Sequence, residues 1–133
     1  DFRALLDYDS TWHDDARRFE VVTLDFVNFA AMAESIGLFF DVGMRDVAAH
    51  VRALADRSVA FVAAHPALEL VTPAEPSRRA GVIAIRARDV DGASQRLKDG
   101  RVFHSVREGC VRLAPHLYNT AAEVDLALRL VAG

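Results

Sequence analysis

Lysine is almost missing from this 133-residue chain, in which Lys98 is the only one. Cysteine is equally rare, and the single Cys110 cannot form an internal disulfide, so we expect a reducing compartment such as the cytoplasm. No apolar run reaches the roughly 18 residues of a membrane span, and the opening residues lack the pattern of a secretory signal. The composition therefore predicts a cytoplasmic protein without a membrane partner.

Strong charge of one sign is also lacking, because the net charge is −3 and the basic residues form no dense cluster. We therefore expect no nucleic-acid partner. The five histidines are scattered singly, without the spacing of a metal site, so no metal is expected. With 52% apolar and 26% charged residues, the chain is typical of one ordinary globular domain.

The first half of the chain predicts two helices. Residues 1–20 show no sustained period and are interpreted as a linker or edge strand. Apolar residues then recur at three- and four-residue spacing from Phe26 to Phe40, and again from Val47 to Ala64. Gly43 suits the left-handed backbone between two helices.

The second half predicts short strands alternating with helices. The expected elements are a strand at 68–71, a strand at 81–87, a helix from Asp89 or Asp91 to Lys98 that ends at Gly100, a pair of strands at 101–105 and 110–114, and a last helix. Thr120 and Glu123 have the spacing of a capping box at the start of that last helix. Long helices followed by this order predict an α+β fold, with an antiparallel or mixed sheet and helices packed on one face.

Arg112 is the strongest candidate for a binding residue. It alternates with Val111 and Leu113, so it faces away from these apolar neighbours. A guanidinium binds a carboxylate through two parallel hydrogen bonds, which fix orientation as well as affinity. From the pattern alone, a surface arginine on an edge strand is the more ordinary interpretation. Arg107, just before the Glu108–Gly109 turn, is either a second positive group for the same ligand or a solvated turn residue.

The segment from Val111 to Thr120, Val-Arg-Leu-Ala-Pro-His-Leu-Tyr-Asn-Thr, resembles the C-terminal domain of class V aminotransferases. These are fold-type I, pyridoxal-phosphate-dependent enzymes related to cysteine desulfurases, kynureninases and isopenicillin N epimerases. The resemblance implies that Arg112 binds the α-carboxylate of an amino-acid substrate, with Arg107 as a second substrate-binding residue. It implies no catalytic residue in this chain.

A second resemblance concerns the cofactor. Arg17-Arg18-Phe19-Glu20-Val21-Val22-Thr23 resembles the family's Arg-Phe-Glu-x-Gly-Thr motif, whose threonine binds the cofactor phosphate of the neighbouring subunit. Thr23 is thereby the candidate cofactor-binding residue of a homodimer. Val22 stands where the family has glycine, and a β-branched residue disfavours positive φ. The sequence therefore leaves open whether Val22 abolishes this contact, and Asp25 would add negative charge there unless it points away.

The resemblance also implies what this chain lacks. Lys98, at the polar end of a helix beside Asp99, is a poor candidate for the lysine that holds the cofactor. We therefore expect residues 1–22 to be a linker from a missing large domain, and residues 23–133 to be the small domain, inactive alone. Cys110 is only two residues from Arg112, which argues against a desulfurase nucleophile and for a small packed residue.

Two alternatives stay open from the residues alone. One is a stand-alone α+β module that binds an acidic metabolite through Arg107 and Arg112, and the other is a purely structural dimerisation domain. A domain severed from a larger enzyme should expose an apolar patch on the first long helix. The reaction of the parent enzyme, whether transamination, β-elimination, epimerisation or kynurenine-type cleavage, is not predicted.

Overall fold

The structure is a computed structural model that describes residues 12–20 and 23–133. It divides into two units, residues 1–38 and residues 39–133. The expected linker at residues 1–22 lies partly outside the described residues. In its described part, Ala16–Phe19 form one turn of 3₁₀ helix, for which the side chain of Asp15 accepts a hydrogen bond from the backbone N–H of Arg17 at 3.0 Å.

The two long helices are present as predicted. Helix α1 spans Phe26–Val42 and helix α2 spans Met44–Ala63. Gly43 separates them with a φ of 95°, the positive backbone angle that a residue without a Cβ adopts at least cost. Among the described residues no single helix is long and apolar enough to cross a membrane, although α1 and α2 taken together across their break pass the same test.

The second half forms a four-stranded sheet with two further helices. The strands are β1 (Leu68–Leu70), β2 (Ile83–Ala87), β3 (Ser105–Arg107) and β4 (Cys110–Leu113), and the helices are α3 (Val90–Asp99) and α4 (Ala121–Ala132). The spatial order is β1-β2-β4-β3, and every neighbouring pair is antiparallel. The predicted α+β class is confirmed. Of the two alternatives that the sequence left open, an antiparallel or a mixed sheet, the structure has the antiparallel sheet.

The hydrophobic core lies between one face of this sheet and helices α2, α3 and α4. On the sheet side, β2 contributes Ile83, Ile85 and Ala87, and β4 contributes Val111 and Leu113, all buried. The helices bury the following residues against them: Leu54, Ala55, Val62, Ala93, Leu97, Val124, Ala127, Leu128 and Val131. Since strands alternate, the residues between these core positions share the opposite face.

The prediction of a strand at 101–105 was wrong, because the residues after helix α3 first form its C-terminal cap. Arg101 adopts a φ of 57°, and its N–H donates to the Lys98 carbonyl while the Val102 N–H donates to the Leu97 carbonyl. This pair of bonds is a Schellman motif that satisfies the last carbonyls of the helix. Strand β3 therefore begins only at Ser105.

The turn between β3 and β4 is the tight turn that the sequence predicts. Glu108 and Gly109 have φ angles of 48° and 67°. A two-residue turn with both φ angles positive matches the right-handed twist of the flanking strands. It pairs Arg107 with Cys110 and thereby sets the register of the whole hairpin.

Candidate functional site

The sheet face that points away from helices α2, α3 and α4 carries both predicted binding arginines. Ser105 pairs with Arg112, which pairs with Ala84 on the other side. The alternation of each strand then places Arg107 on the same face as Arg112. The residues on this open face are Glu69, Ala84, Arg86, Ser105, Arg107, Cys110 and Arg112.

Arg112 is the accessible centre of this face. It is exposed, and its cross-strand neighbours Ser105 and Ala84 are both too small to cover a guanidinium. The four ion pairs found in the described part of the chain involve other arginines. Arg112 thus offers its planar donor fork to an incoming carboxylate without first having to break a pair.

Arg107 is brought close to Arg112 by the hairpin register. The two occupy diagonal positions on β3 and β4, for which Cα atoms are typically about 7–8 Å apart. Arg107 is exposed and, like Arg112, forms none of the ion pairs between described residues. The structure therefore places two available positive charges side by side.

Arg86 and Glu69 were missed by the sequence reasoning. Nη1 of Arg86 lies 2.8 Å from both carboxylate oxygens of Glu69, one strand away. The hydrogen bond that Arg86 donates to Glu69, and then the negative charge of Glu69, raise the pKa of Arg86 above its usual value. The alternation of β2 could have placed Arg86 on the polar face, whereas its pairing with Glu69 depends on the β1–β2 register.

Cys110 lies in the same row as Arg86 and Arg107 but is covered. Only 3% of its surface is exposed, and its thiol makes a long contact of 3.5 Å to the Glu108 carbonyl oxygen. The prediction of a small packed residue is confirmed.

The connection from β4 to α4 is held by a set of local hydrogen bonds. The Asn119 side chain accepts from the His116 N–H at 2.9 Å, and Nε2 of His50 donates to the Asn119 carbonyl at 2.9 Å. The capping box is present, with the Thr120 N–H donating to Glu123 at 2.7 Å and the Glu123 N–H donating to Thr120 at 3.2 Å. These bonds fix the chain directly after the strand that carries Arg112.

Thr23 belongs to the other unit and is exposed three residues before helix α1 begins. Asp25 accepts a hydrogen bond from the Asn28 N–H at 3.2 Å, so its carboxylate lies at the helix N-terminus. A phosphate at this helix end would meet that negative charge. Val22 lies outside the described residues, so its effect on Thr23 stays a prediction.

The described residues fit a bound carboxylate better than they fit a covalently held cofactor. Lys98 is exposed in the last turn of α3, so it lacks the enclosed surroundings of a lysine that holds a cofactor. Within residues 12–20 and 23–133, no three histidine, cysteine, aspartate or glutamate side chains converge as a metal site would require.

The arginine face is separate from two clefts found in the described part of the chain. These clefts, of about 520 and 680 Å³, are lined by other residues and include neither Arg107 nor Arg112. Ligand sites normally enclose most of their ligand. The open face therefore needs a second surface to become one.

Comparison with known proteins agrees with the resemblance seen in the sequence. Residues 47–131 match the family described as Kynureninase C-terminal domain. The chain is also 31% identical over 125 residues to a protein described as "Uncharacterized aminotransferase YcbU" from Bacillus subtilis (strain 168). This alignment covers 94% of the chain and 33% of the relative, so the chain spans about a third of the length of the protein it matches.

Proposed function

Because the chain belongs to the kynureninase C-terminal domain family of class V aminotransferase-like enzymes, we propose that it supplies the substrate-carboxylate arginine of such an enzyme. The single observation that carries this proposal is Arg112, exposed between two small residues on the sheet face that points away from helices α2, α3 and α4. The α-carboxylate of an amino acid accepts two hydrogen bonds from this guanidinium, which orients the substrate's α-carbon. Arg107 adds a second positive charge at a diagonal position and attracts the same carboxylate.

A large domain of the parent protein forms the other wall of this site. Helix α1 supports that part of the proposal, because none of its 17 residues is buried although most of them are apolar. A helix that is apolar around most of its circumference is typical of the interior of a larger protein. By itself the chain would be inactive, and the intact enzyme would be a cytoplasmic homodimer with shared active sites.

Membership of this family implies pyridoxal phosphate in the intact enzyme. When bound, this cofactor acts as an electron sink at the substrate's α-carbon. The amine that holds it belongs to the parent's large domain, because Lys98 is exposed and polar in its surroundings. This chain contributes orientation of the substrate by Arg112 and, in our proposal, one hydroxyl from Thr23 to the cofactor phosphate of the partner subunit.

Arg112→Lys in the full-length enzyme tests the central proposal. Lysine keeps the charge but loses the planar fork. We therefore expect KM for a carboxylate-bearing substrate to rise about tenfold, while the reaction that the enzyme catalyses stays the same. Arg52→Lys is the matched control, because Arg52 is an exposed arginine on helix α2, away from the open face. Unchanged kinetics for Arg112→Lys, or equal effects of both changes, would remove Arg112 from the site.

Thr23 is tested separately through cofactor retention. Thr23→Val should weaken pyridoxal phosphate binding by roughly fivefold or more if the hydroxyl is a phosphate ligand, as measured by dialysis and absorbance of the cofactor. Val22→Gly should strengthen binding in the same assay, because it restores the backbone freedom that the family motif has. If neither change alters retention, Thr23 is no phosphate ligand.

A further inference from the structure

A cleft of about 680 Å³ lies at the edge of the domain, apart from the arginine face. Its walls come from the end of α3, the following loop and β3, and its lining residues are Ser94, Lys98, Arg101, Val102, Phe103, His104 and Val106. Val106 pairs with the core residue Val111, so it lies on the side of the sheet opposite to Arg112. The proposed substrate site does not use this cleft.

Arg101 is the residue that draws attention to it. A left-handed conformation after a helix is normally given to glycine, yet here an arginine adopts it at a φ of 57°. Such strain in a residue with a side chain is often retained for function. Arg101 and Lys98 both line the cleft, and neither takes part in an ion pair between described residues.

The inner wall of the cleft is held in place by a hydrogen-bonded chain. Nδ1 of His104 donates to the Val102 carbonyl at 3.0 Å, and Nε2 forms a hydrogen bond with the hydroxyl of the buried Ser94 at 2.8 Å. Both ring nitrogens thereby have a hydrogen-bond partner. These two bonds fix the orientation of the ring in the wall of the cleft.

The outer wall is apolar and is left exposed by the described residues. Phe103 is fully exposed, at 102% of its reference area, and Val106 is 40% exposed. The negative end of α3 is shielded, because the amides of Gly100, Arg101 and Val102 bind its last carbonyls. The cleft thus combines two available cations with an uncovered aromatic ring and an aliphatic side chain.

From this combination we propose that the cleft binds a small amphipathic carboxylate, with its acid group at Lys98 and Arg101 and its apolar body against Phe103 and Val106. This second site is independent of the proposed amino-acid site. Its volume is within the usual range of small-molecule sites. Its ligand is an organic anion of the size of a medium-chain fatty acid, which neither a free inorganic anion nor an uncharged apolar molecule would replace.

The test uses the 133-residue chain with octanoate as probe, followed by amide chemical shifts in NMR titrations. We expect shifts at residues 98–106, with binding at least fivefold tighter than for octanol, which lacks the charge, or for acetate, which lacks the chain. Arg101→Gly should weaken octanoate binding about fivefold while raising the temperature of unfolding, because glycine adopts the positive φ without strain. A loss of binding in a more stable protein cannot be attributed to unfolding.

Glu108→Gly is the matched control, because Glu108 is the other described non-glycine residue with positive φ and lies outside the cleft. It should also raise the unfolding temperature but leave octanoate binding unchanged. The proposal is overturned if octanol binds as well as octanoate, if the shifts fall on helix α1 or on the arginine face, or if Arg101→Gly binds like the unaltered chain.

Discussion

At the scale of single residues, the neighbours of Arg112 decide whether it can bind a substrate. Ala84 lies directly opposite on β2, and its methyl group leaves the guanidinium uncovered. Arg86, only two residues further along the same strand, is engaged by Glu69 instead. The same residue type on the same face is therefore available at one position and occupied at the other.

Ala84→Leu is expected to impair substrate binding, although Ala84 is not part of the hydrophobic core. A leucine opposite Arg112 would cover part of the guanidinium and hinder approach of a carboxylate, so KM of the full-length enzyme should rise several-fold. Folding should be kept, because Ala84 lies on the face away from the core. Steady-state kinetics with circular dichroism as a folding control checks this, and an unchanged KM would show that the carboxylate approaches from elsewhere.

Backbone strain at two residues gives a stability prediction. Arg101 and Glu108 both have positive φ, which costs an L-residue roughly 1–2 kcal/mol relative to glycine. Part of this gain is lost because glycine makes the unfolded chain more flexible. Each change to glycine should therefore increase the free energy of unfolding by about 0.5–1 kcal/mol, as measured by urea denaturation. Destabilisation by either would mean that its side chain contributes more than its backbone costs.

At the scale of elements, the patterns that act locally were predictable and those that depend on tertiary packing were not. The capping box of α4 and the tight turn at Glu108–Gly109 follow from neighbouring residues, and both are present. The predicted start of β3 was wrong because the backbone amides of Arg101 and Val102 cap the end of α3. The placement of Arg107 and Arg112 on one face followed from alternation, whereas the Arg86–Glu69 pair requires the register of a third strand.

Helix α4 should lose stability in acid through two carboxylates. The Thr120 backbone N–H lowers the pKa of Glu123, and the Arg57 hydrogen bond lowers the pKa of Asp125. A carboxyl group whose pKa is lower in the folded state stabilises it above the unfolded pKa, and this stabilisation disappears as pH falls through the folded value. Stability should thus fall below about pH 4.5, the ordinary value for a glutamate.

Glu123→Gln measures how much of the loss of stability in acid comes from the capping carboxylate. Urea denaturation at pH 7 and at pH 3 should show a smaller difference for this variant than for the unaltered chain, because one titrating group is gone. Thr120→Ala should cost about 1 kcal/mol at pH 7 by removing the hydroxyl cap. An identical pH dependence in the Glu123 variant would exclude the capping carboxylate as a cause.

At the scale of the whole molecule, the exposed apolar helix α1 contrasts with the well-buried core of residues 39–133. Phe26 is 68% exposed and Phe40 is 73% exposed, and no residue of α1 is buried. The sequence predicted this helix from its spacing and, for a domain of a larger enzyme, an apolar patch on it, and the structure shows that no residue of the helix is buried. The relative extends over about three times the length of this chain, which leaves room for a domain that covers the helix.

Uncovered apolar surface of this kind should make the isolated chain self-associate. Each fully buried phenylalanine contributes about 1.5–3 kcal/mol, so burial of α1 between two copies would favour their association. Replacing Phe26, Phe29 and Met32 by serine or glutamine should shift the isolated chain towards monomer in analytical ultracentrifugation. In the full-length enzyme the same three changes should instead destabilise the protein, because there the helix would have lost its covering partner. A monomeric unaltered chain, together with a full-length enzyme indifferent to these changes, would show that α1 needs no cover.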